Sequence, residues 1–517
     1  MPAAPPSGDG VNFVSETVQI TLLPGGKVLT VKRGAPLQDL LFAQGVEFPC
    51  GGRGRCKGCR IKVLEGSLPV NHDDERLLMP AEIADGWRLS CQARADDSLK
   101  IELAQWEAAI LADDSTFAFV PQEGLGVAVD LGTTTVVAQL LDLGTADVLA
   151  VRTGLNAQAQ HGADVMSRIE FAISDGGQRL LEKLTRDQIG QLVSELLATS
   201  NVNGSRLKTI VIVGNTVMHH LFCGLSLEPL SRYPFESERV GLHTFSPRHL
   251  GWSESLDCTV RFLPCLGGFV GSDILAGVLA TKLHESEALS ALVDLGTNGE
   301  IVVGNRERIL CASTAAGPAF EGARISQGMR AATGAISGVT VAEGRLCCQV
   351  IGQSAPRGIC GSGLVDAVAT GLELGQIQST GRLRQGERFP LLHPVSLSQR
   401  DIRELQLGKG AIAAGLRILL QQWGAGTKDL ARLHLAGAFG NYINRASARR
   451  IGLLDYPPEK VSPSGNTALH GAKLALFSLN VDDGTYEGLR NRIRHVPLNE
   501  HEQFQEIFVQ ELRFPAL

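Results

Sequence analysis

The densest chemistry in this 517-residue chain lies in four cysteines near its start. Cys50, Cys56 and Cys59 share one stretch, CGGRGRCKGC, and Cys91 follows after a gap of thirty-one residues. Structural zinc sites usually pair their ligands as two CxxC knuckles. Three ligands from one loop and a fourth from far along the chain suit an iron–sulfur cluster better. A loop wrapped around such a cluster must turn its N–H groups inward toward sulfur, and Gly51, Gly52, Gly54 and Gly58 permit the backbone angles this needs. Arg53, Arg55, Lys57 and Arg60 either balance the cluster's negative charge and steer an acidic partner, or form a solvated basic face. The other seven of the eleven cysteines are scattered. In a reducing compartment they read as small buried hydrophobes, which disfavours a disulfide knot in the loop as well.

A second set of residues repeats. Gly126–Leu140 reads as an apolar strand, the turn DLGTTT and another strand, and Ala291–Val303 repeats the pattern around DLGTNGE. One such turn is weak evidence, since Asp-x-Gly turns occur in many hairpins. Two of them, each after a buried strand, predict two similar lobes facing each other. Gly132 and Gly296 let backbone N–H groups approach an anion, and Thr133, Thr134, Thr297 and Asn298 add polar side chains. Asp130 and Asp294, at the strand ends, suit holding Mg²⁺ or orienting a nucleophilic water. A third strand enters the Gly-rich turn AGAFG, whose Gly437 and Gly440 are expected against an adenosine. No GxxxxGK[ST] motif and no GxGxxG after a strand are present, which excludes a P-loop enzyme and argues against a dinucleotide-binding Rossmann unit.

Around the cysteines, Val18–Leu22 and Leu29–Val31 flank Pro24–Gly26 as a hairpin. Pro36 opens a short helix that Gly45 closes, strands are expected at Arg60–Leu64 and Leu99–Leu103, and Cys91 sits at the end of a strand. This small α+β unit, with its ligand spacing, resembles the [2Fe–2S] ferredoxins over about residues 11–104, including a five-residue first gap in place of the plant-type four. Residues 1–10 read as a disordered tail and 105–123 as a linker that lets the head move. The body divides at about 124–285 and 286–517. It resembles the actin, Hsp70 and sugar kinase superfamily, with DLGTTT as phosphate 1, DLGTNGE as phosphate 2 and AGAFG as the adenosine motif.

Further motifs narrow the resemblance: NAQAQHGADVMSRI at 156–169, VGNTVMHH at 213–220, PCLGGFVGSD at 264–273, ICGSGLVD at 359–366 and GNTAL at 465–469. Joined to a ferredoxin-like head, they resemble the reductive activators of corrinoid-dependent enzymes along nearly the whole chain. The resemblance implies a β-grasp head with a [2Fe–2S] cluster on Cys50, Cys56, Cys59 and Cys91, and a two-lobed α/β ATPase body binding ATP and Mg²⁺. Asp273 becomes a candidate on the Mg²⁺ or phosphate side. The implied reaction is ATP-dependent transfer of a low-potential electron to the Co(II) of a corrinoid partner, restoring Co(I). A methyltransferase's corrinoid subunit and a methionine synthase are candidate clients, a low-potential donor supplies the electron, and a homodimer is a candidate assembly. Some relatives carry C-terminal [4Fe–4S] motifs, but this chain has no cysteine after Cys360.

The step is uphill. A plant-type [2Fe–2S] centre sits near about −400 mV, and each ~59 mV beyond it costs about 1.4 kcal/mol per electron. Nucleotide can help only by acting differently on two states of the complex. Two other classes fit the motifs: a small-molecule kinase with a redox sensor attached, which would need an acceptor, and a regulatory protein that binds ATP with negligible turnover.

Composition is that of an ordinary globular protein, 44% hydrophobic and 20% charged. A net charge of −6 argues against nucleic-acid partners. No apolar run reaches the length of a membrane span, and MPAAPPSGDG lacks the features of a signal peptide, so a cytoplasmic location is expected. His219 and His220 are adjacent and poor co-ligands, better read as core or capping residues. Cys347 and Cys348 read as neighbours on opposite strand faces, and Cys265 and Cys360 as buried hydrophobes.

Overall fold

The computed structural model describes residues 16–516 apart from 24–26, 43–53, 55–58, 104–116, 118, 163, 175, 201, 297, 322–323, 330, 332–333, 343, 354, 441–442 and 479–483. The 1–10 tail, Cys50, Cys56 and Thr297 lie outside the described residues, as do residues 105–116 and 118 of the linker.

The head is a five-stranded sheet with the order Lys27–Lys32, Thr17–Leu23, Leu99–Leu103, Arg60–Glu65, Trp87–Leu89. Alternation along the first strand buries Val18, Ile20 and Leu22, which fixes its register against the Lys27–Lys32 hairpin partner. Thr17–Leu23 also runs parallel to Leu99–Leu103. The helix Leu37–Phe42 lays Leu37 and Leu41, one turn apart, onto this sheet. Pro36 stands just before that helix rather than as its first residue, in a two-residue strand paired with Arg94–Ala95.

The body contains two six-stranded sheets whose wiring repeats. In the first, Leu125–Leu131, Thr135–Asp142 and Val148–Leu155 form an antiparallel meander, and Leu207–Gly214 and Thr259–Phe262 continue from Leu125–Leu131 in parallel. In the second, Ser290–Leu295, Gly299–Gly304 and Ile309–Thr314 form the meander, and Arg432–Ala436 and Val461–Gly465 are the parallel continuation. Each sheet gains one further strand, His243–Phe245 or Ile493–His495. The central strands are buried and mostly apolar up to Asp130 and Asp294 near their ends, because both sheet faces are covered.

The lobes share a core. The helices Ser272–Ala280 and Thr467–Ser478 cross between the two sheets, so closely that a Cβ on Gly471 would stand 2.1 Å from the Ala276 carbonyl oxygen. Ala128 and Val211 of the first sheet, Leu292 and Val302 of the second, and Leu275 and Ala472 of the two helices belong to one buried cluster. The described end of the connecting segment packs on this body, with the Phe117 and Phe119 rings 5.5 and 4.9 Å from that of Phe477.

Candidate functional site

The repeated wiring places Asp130 and Asp294 at equivalent positions, each next to last in the first strand of its meander. The two crossing helices bring their N-termini to the same place. Asp273 sits in the first turn of Ser272–Ala280, and Asn466 immediately precedes Thr467–Ser478. Asn466 Nδ2 donates to Asp130 Oδ2 at 2.8 Å, while its Oδ1 accepts from the Leu469 N–H at 2.9 Å. The side chain that caps one helix thus also orients a carboxylate of the opposite sheet.

Glu300 is a fourth carboxylate. It stands directly across the hairpin from Asp294, so both side chains share one sheet face, and Ser313 Oγ lies 3.5 Å from its Oε1. Among the described residues, none of these four acids forms an ion pair with Lys or Arg. Burial raises the pKa of all four, and neighbouring carboxylates add to the rise at Asp294, Asp273 and Glu300. Burial, offset by the Asn466 bond, pushes Asp130 up to about 6, and burial with the nearby Asp130 charge pushes Asp294 up to about 7. Asp273 and Glu300 are raised as well, by burial and then by the neighbouring carboxylates. The four acids lie within reach of one another's charge, yet among the described residues no three acidic, His or Cys side chains are gathered tightly enough to hold a metal ion as they stand.

This charge state has a measurable consequence. The folded cleft retains protons that the unfolded chain loses near pH 4, so without metal its stability falls as pH rises through about 6 and 7. Mg²⁺ is therefore expected to raise the thermal unfolding midpoint more at pH 8 than at pH 5. At about 100 times Kd the stabilisation is about 2.7 kcal/mol at the higher pH. Equal magnesium shifts at both pH values count against a cation site here.

Both DLGT turns close on themselves: Gly132 N donates to Thr135 O, and Gly296 N to Asn298 O, each at 3.0 Å. Thr133 is buried, and its Oγ1 accepts from Asn215 Nδ2 at 2.8 Å. The carbonyls of Gly132 and Thr134 accept from Asn156 Nδ2 and N, each at 2.9 Å. Asn298 is half-buried, and its side chain bonds Glu300. Gly437 has φ +84°, and a Cβ there would meet Asp294 Oδ1 at 2.5 Å, so only glycine lets this strand end approach the carboxylate. Gly440 faces elsewhere, with its missing side chain directed at Leu435, and Phe439 stacks on Phe320 at 4.9 Å. Of the AGAFG turn, Gly437 is therefore the residue set against the acids.

Four polar residues of this site, Glu300, Asn466, Asn156 and Asn215, lie inside the motifs DLGTNGE, GNTAL, NAQAQHGADVMSRI and VGNTVMHH, yet only the folded contacts single them out. The bland readings of the other residues hold. His219 and His220 are fully buried in the helix Thr216–Cys223 and bond Gly241 O and Thr216 O, and burial lowers them to about 3 and 4. Cys348 packs on the core while Cys347 is exposed, and Cys265 is fully buried with its thiol pushed far up by that burial.

At the other end of the chain, Cys59 and Cys91 meet in one apolar core, 1% and 2% exposed. The Cys59 carbonyl accepts from both Ser90 N at 3.0 Å and Ser90 Oγ at 2.8 Å, which ties the two ligand backbones together. Cys91 sits in a 3₁₀ turn, Ser90–Gln92, rather than on a strand, because Leu89 ends its strand on the buried Asp74 carboxylate at 2.7 Å. Gly54, at φ +60°, touches Asp73, and its carbonyl accepts from Arg76. Arg60 is bonded to Glu82 at 2.6 Å and lies over the Trp87 ring, which corrects its reading as a cation open to a cluster or partner. Cys59 and Cys91, drawn from distant segments into one dry core, are placed as two ligands of one cluster would be.

Three consecutive stretches of the chain are similar to known protein families. Residues 20–96 match the 2Fe-2S iron-sulfur cluster binding domain, 125–286 the RACo middle region, and 288–517 the C-terminal domain of RACo, the ASKHA domain. The corrinoid activation enzyme RamQ of Eubacterium limosum is 34% identical over 75% of this chain and 70% of its own length. The [Co(II) methylated amine-specific corrinoid protein] reductase of Methanosarcina barkeri is 28% identical over 75% and 77%. A solved reductive activator for corrinoid, iron-sulfur protein superposes with TM-score 0.67 at 26% identity, covering 96% of this chain and 98% of the other. No helix among the described residues is long and apolar enough to cross a membrane. A [2Fe–2S] head on a two-lobed ASKHA body, matched by these relatives over most of its length, makes the chain a member of the reductive activators of corrinoid proteins.

Proposed function

We propose that this activator uses ATP, bound with Mg²⁺ between its two lobes, to reduce the Co(II) of a corrinoid protein to Co(I). The observation that carries the reading is the cleft. Four carboxylates from two sheets and a helix N-terminus converge, with no Lys or Arg ion pair among the described residues, in the same chain as a buried cysteine pair. Cys50, Cys56, Cys59 and Cys91 would hold the [2Fe–2S] cluster, which would supply a one-electron carrier for a low-potential donor to recharge. Asp130, Asp294, Asp273 and Glu300 would hold Mg²⁺ once nucleotide draws them together, and the cation would screen the triphosphate.

The chain's own residues do the rest. Gly132 and Gly296 keep the two turns narrow enough for backbone N–H groups to meet phosphate, one turn from each lobe. Asn466 fixes the Asp130 carboxylate, so a water placed beside it is oriented for attack at phosphorus, and hydrolysis yields ADP and phosphate. Because the crossing helices carry Asp273 and Asn466 at their N-termini and share the core of both sheets, closing the lobes on nucleotide shifts both helices together. That motion is the means by which nucleotide would change the docking of the corrinoid protein, weaken the cobalt's axial ligation and raise its potential.

The test mixes purified protein, a low-potential donor and an inactive Co(II) corrinoid protein, with and without ATP, and reads Co(I) by its absorbance. The expected result is Co(I) only with ATP, and equal yields in both tubes reject the coupling. ATP turnover that instead requires an added alcohol or acid, with no corrinoid protein, would favour a kinase.

A further inference from the structure

Behind the first DLGT turn lies a fully buried arginine that nothing above employs. Arg168, in the helix Val165–Ile173, is 0% exposed. Its Nη2 donates to the Thr133 carbonyl, its Nε to Gly162 O at 3.0 Å and its Nη1 to Gln158 Oε1 at 3.2 Å. Gly162 leaves room for the side chain, since a Cβ there would stand 3.0 Å from the Arg168 Cγ. Among the described residues no carboxylate forms an ion pair with this guanidinium, but the charge of Asp164, the cap of the same helix, acts on it. Removing such a group from water is costly and Asp164 offsets only part of that, so its placement is read from its hydrogen bonds.

The contacts point to the turn. Three successive carbonyls, of Gly132, Thr133 and Thr134, are held by Asn156 Nδ2, Arg168 Nη2 and Asn156 N. In a planar trans peptide each carbonyl opposes the N–H that follows it. Fixing these carbonyls on one side therefore directs the Thr133 and Thr134 N–H groups to the other, the geometry of an anion nest.

We infer that Arg168 is a positioning residue for the nucleotide's phosphates: it locks the Gly132–Thr134 turn from behind, so that the N–H groups of the turn stay directed at an anion. This rests on the nucleotide reading above. Lysine keeps a cation but cannot span Thr133, Gly162 and Gln158 with one planar fork.

Equilibrium binding of ATP and of adenosine to the full-length wild type, Arg168→Lys and Arg168→Met tests it. Both substitutions are expected to weaken ATP by roughly 10- to 100-fold while adenosine affinity stays within about twofold, with Arg168→Met the more affected. An ATP-to-adenosine affinity ratio unchanged from wild type in Arg168→Lys overturns the inference, and so does a parallel loss of both ligands, which marks a merely structural role. Arg168→Lys decides the matter alone if Arg168→Met fails to fold. Wild-type protein that binds no ATP rejects the nucleotide reading itself and this inference with it.

Discussion

Asp294→Asn is expected to lower ATP-dependent Co(I) formation by about 10²- to 10³-fold while leaving the visible spectrum of the head unchanged. The residue is the most interlocked acid of the cleft. Glu300 faces it across the hairpin, Gly437 is kept free of a side chain by its Oδ1, and the Asp130 charge helps to raise its pKa to about 7. Asparagine keeps the shape and removes one charge, so the sheet and the Gly437 contact persist while the cation loses a ligand. The same change relieves repulsion among the remaining acids. Metal-free Asp294→Asn protein should therefore be at least as stable as wild type at pH 8, which separates loss of chemistry from loss of fold. Wild-type Co(I) yield in this variant would remove Asp294 from the site, and a lost head spectrum would mean that the substitution acts through the fold.

Much of the architecture was legible because local chemistry and fold agree. Val18, Ile20 and Leu22 alternate and form a hairpin strand, and the two DLGT turns each follow an apolar strand that becomes the centre of a sheet. What the chain order conceals is set by crossings. Asn466 reaches Asp130 across 336 positions, because a helix from the second half of the chain packs on the first sheet. Arg60 looked free within its basic run, but Glu82, 22 positions on, neutralises it. Arg168 gave no signal beyond its motif, since a buried arginine bonded to backbone carbonyls cannot be told in sequence from one on a helix surface. Gly437 and Gly440 are likewise indistinguishable in AGAFG. Only the φ of +84° and the nearness of the Asp294 carboxylate separate the first from a glycine packed on its own strand.

Cys91→Ser is the complementary experiment, with an effect of similar size. Iron content and visible colour should fall to background, and Co(I) formation with them by at least about a hundredfold, while ATP binding stays at the wild-type level. The fold has reason to survive. The core around Cys91 retains Leu37, Leu41, Ile61, Leu89 and Ile101, and the bonds from Ser90 to the Cys59 carbonyl do not involve the sulfur. A serine hydroxyl is close in size to the thiol but a poor ligand for iron that prefers thiolate. Cys347→Ser controls for thiol loss in general: that side chain is exposed on the body, and its removal should change neither colour nor Co(I) yield. Cys91→Ser protein that keeps its colour would exclude Cys91 as a ligand, and wild-type protein holding zinc without colour would overturn the cluster itself. Because Cys91→Ser strips the electron carrier and spares the nucleotide cleft, while Asp294→Asn does the reverse, their readouts cross. Each variant then loses one half of the activity while the other half can still be measured in it, so the coupling between ATP and the electron is tested apart from the presence of either.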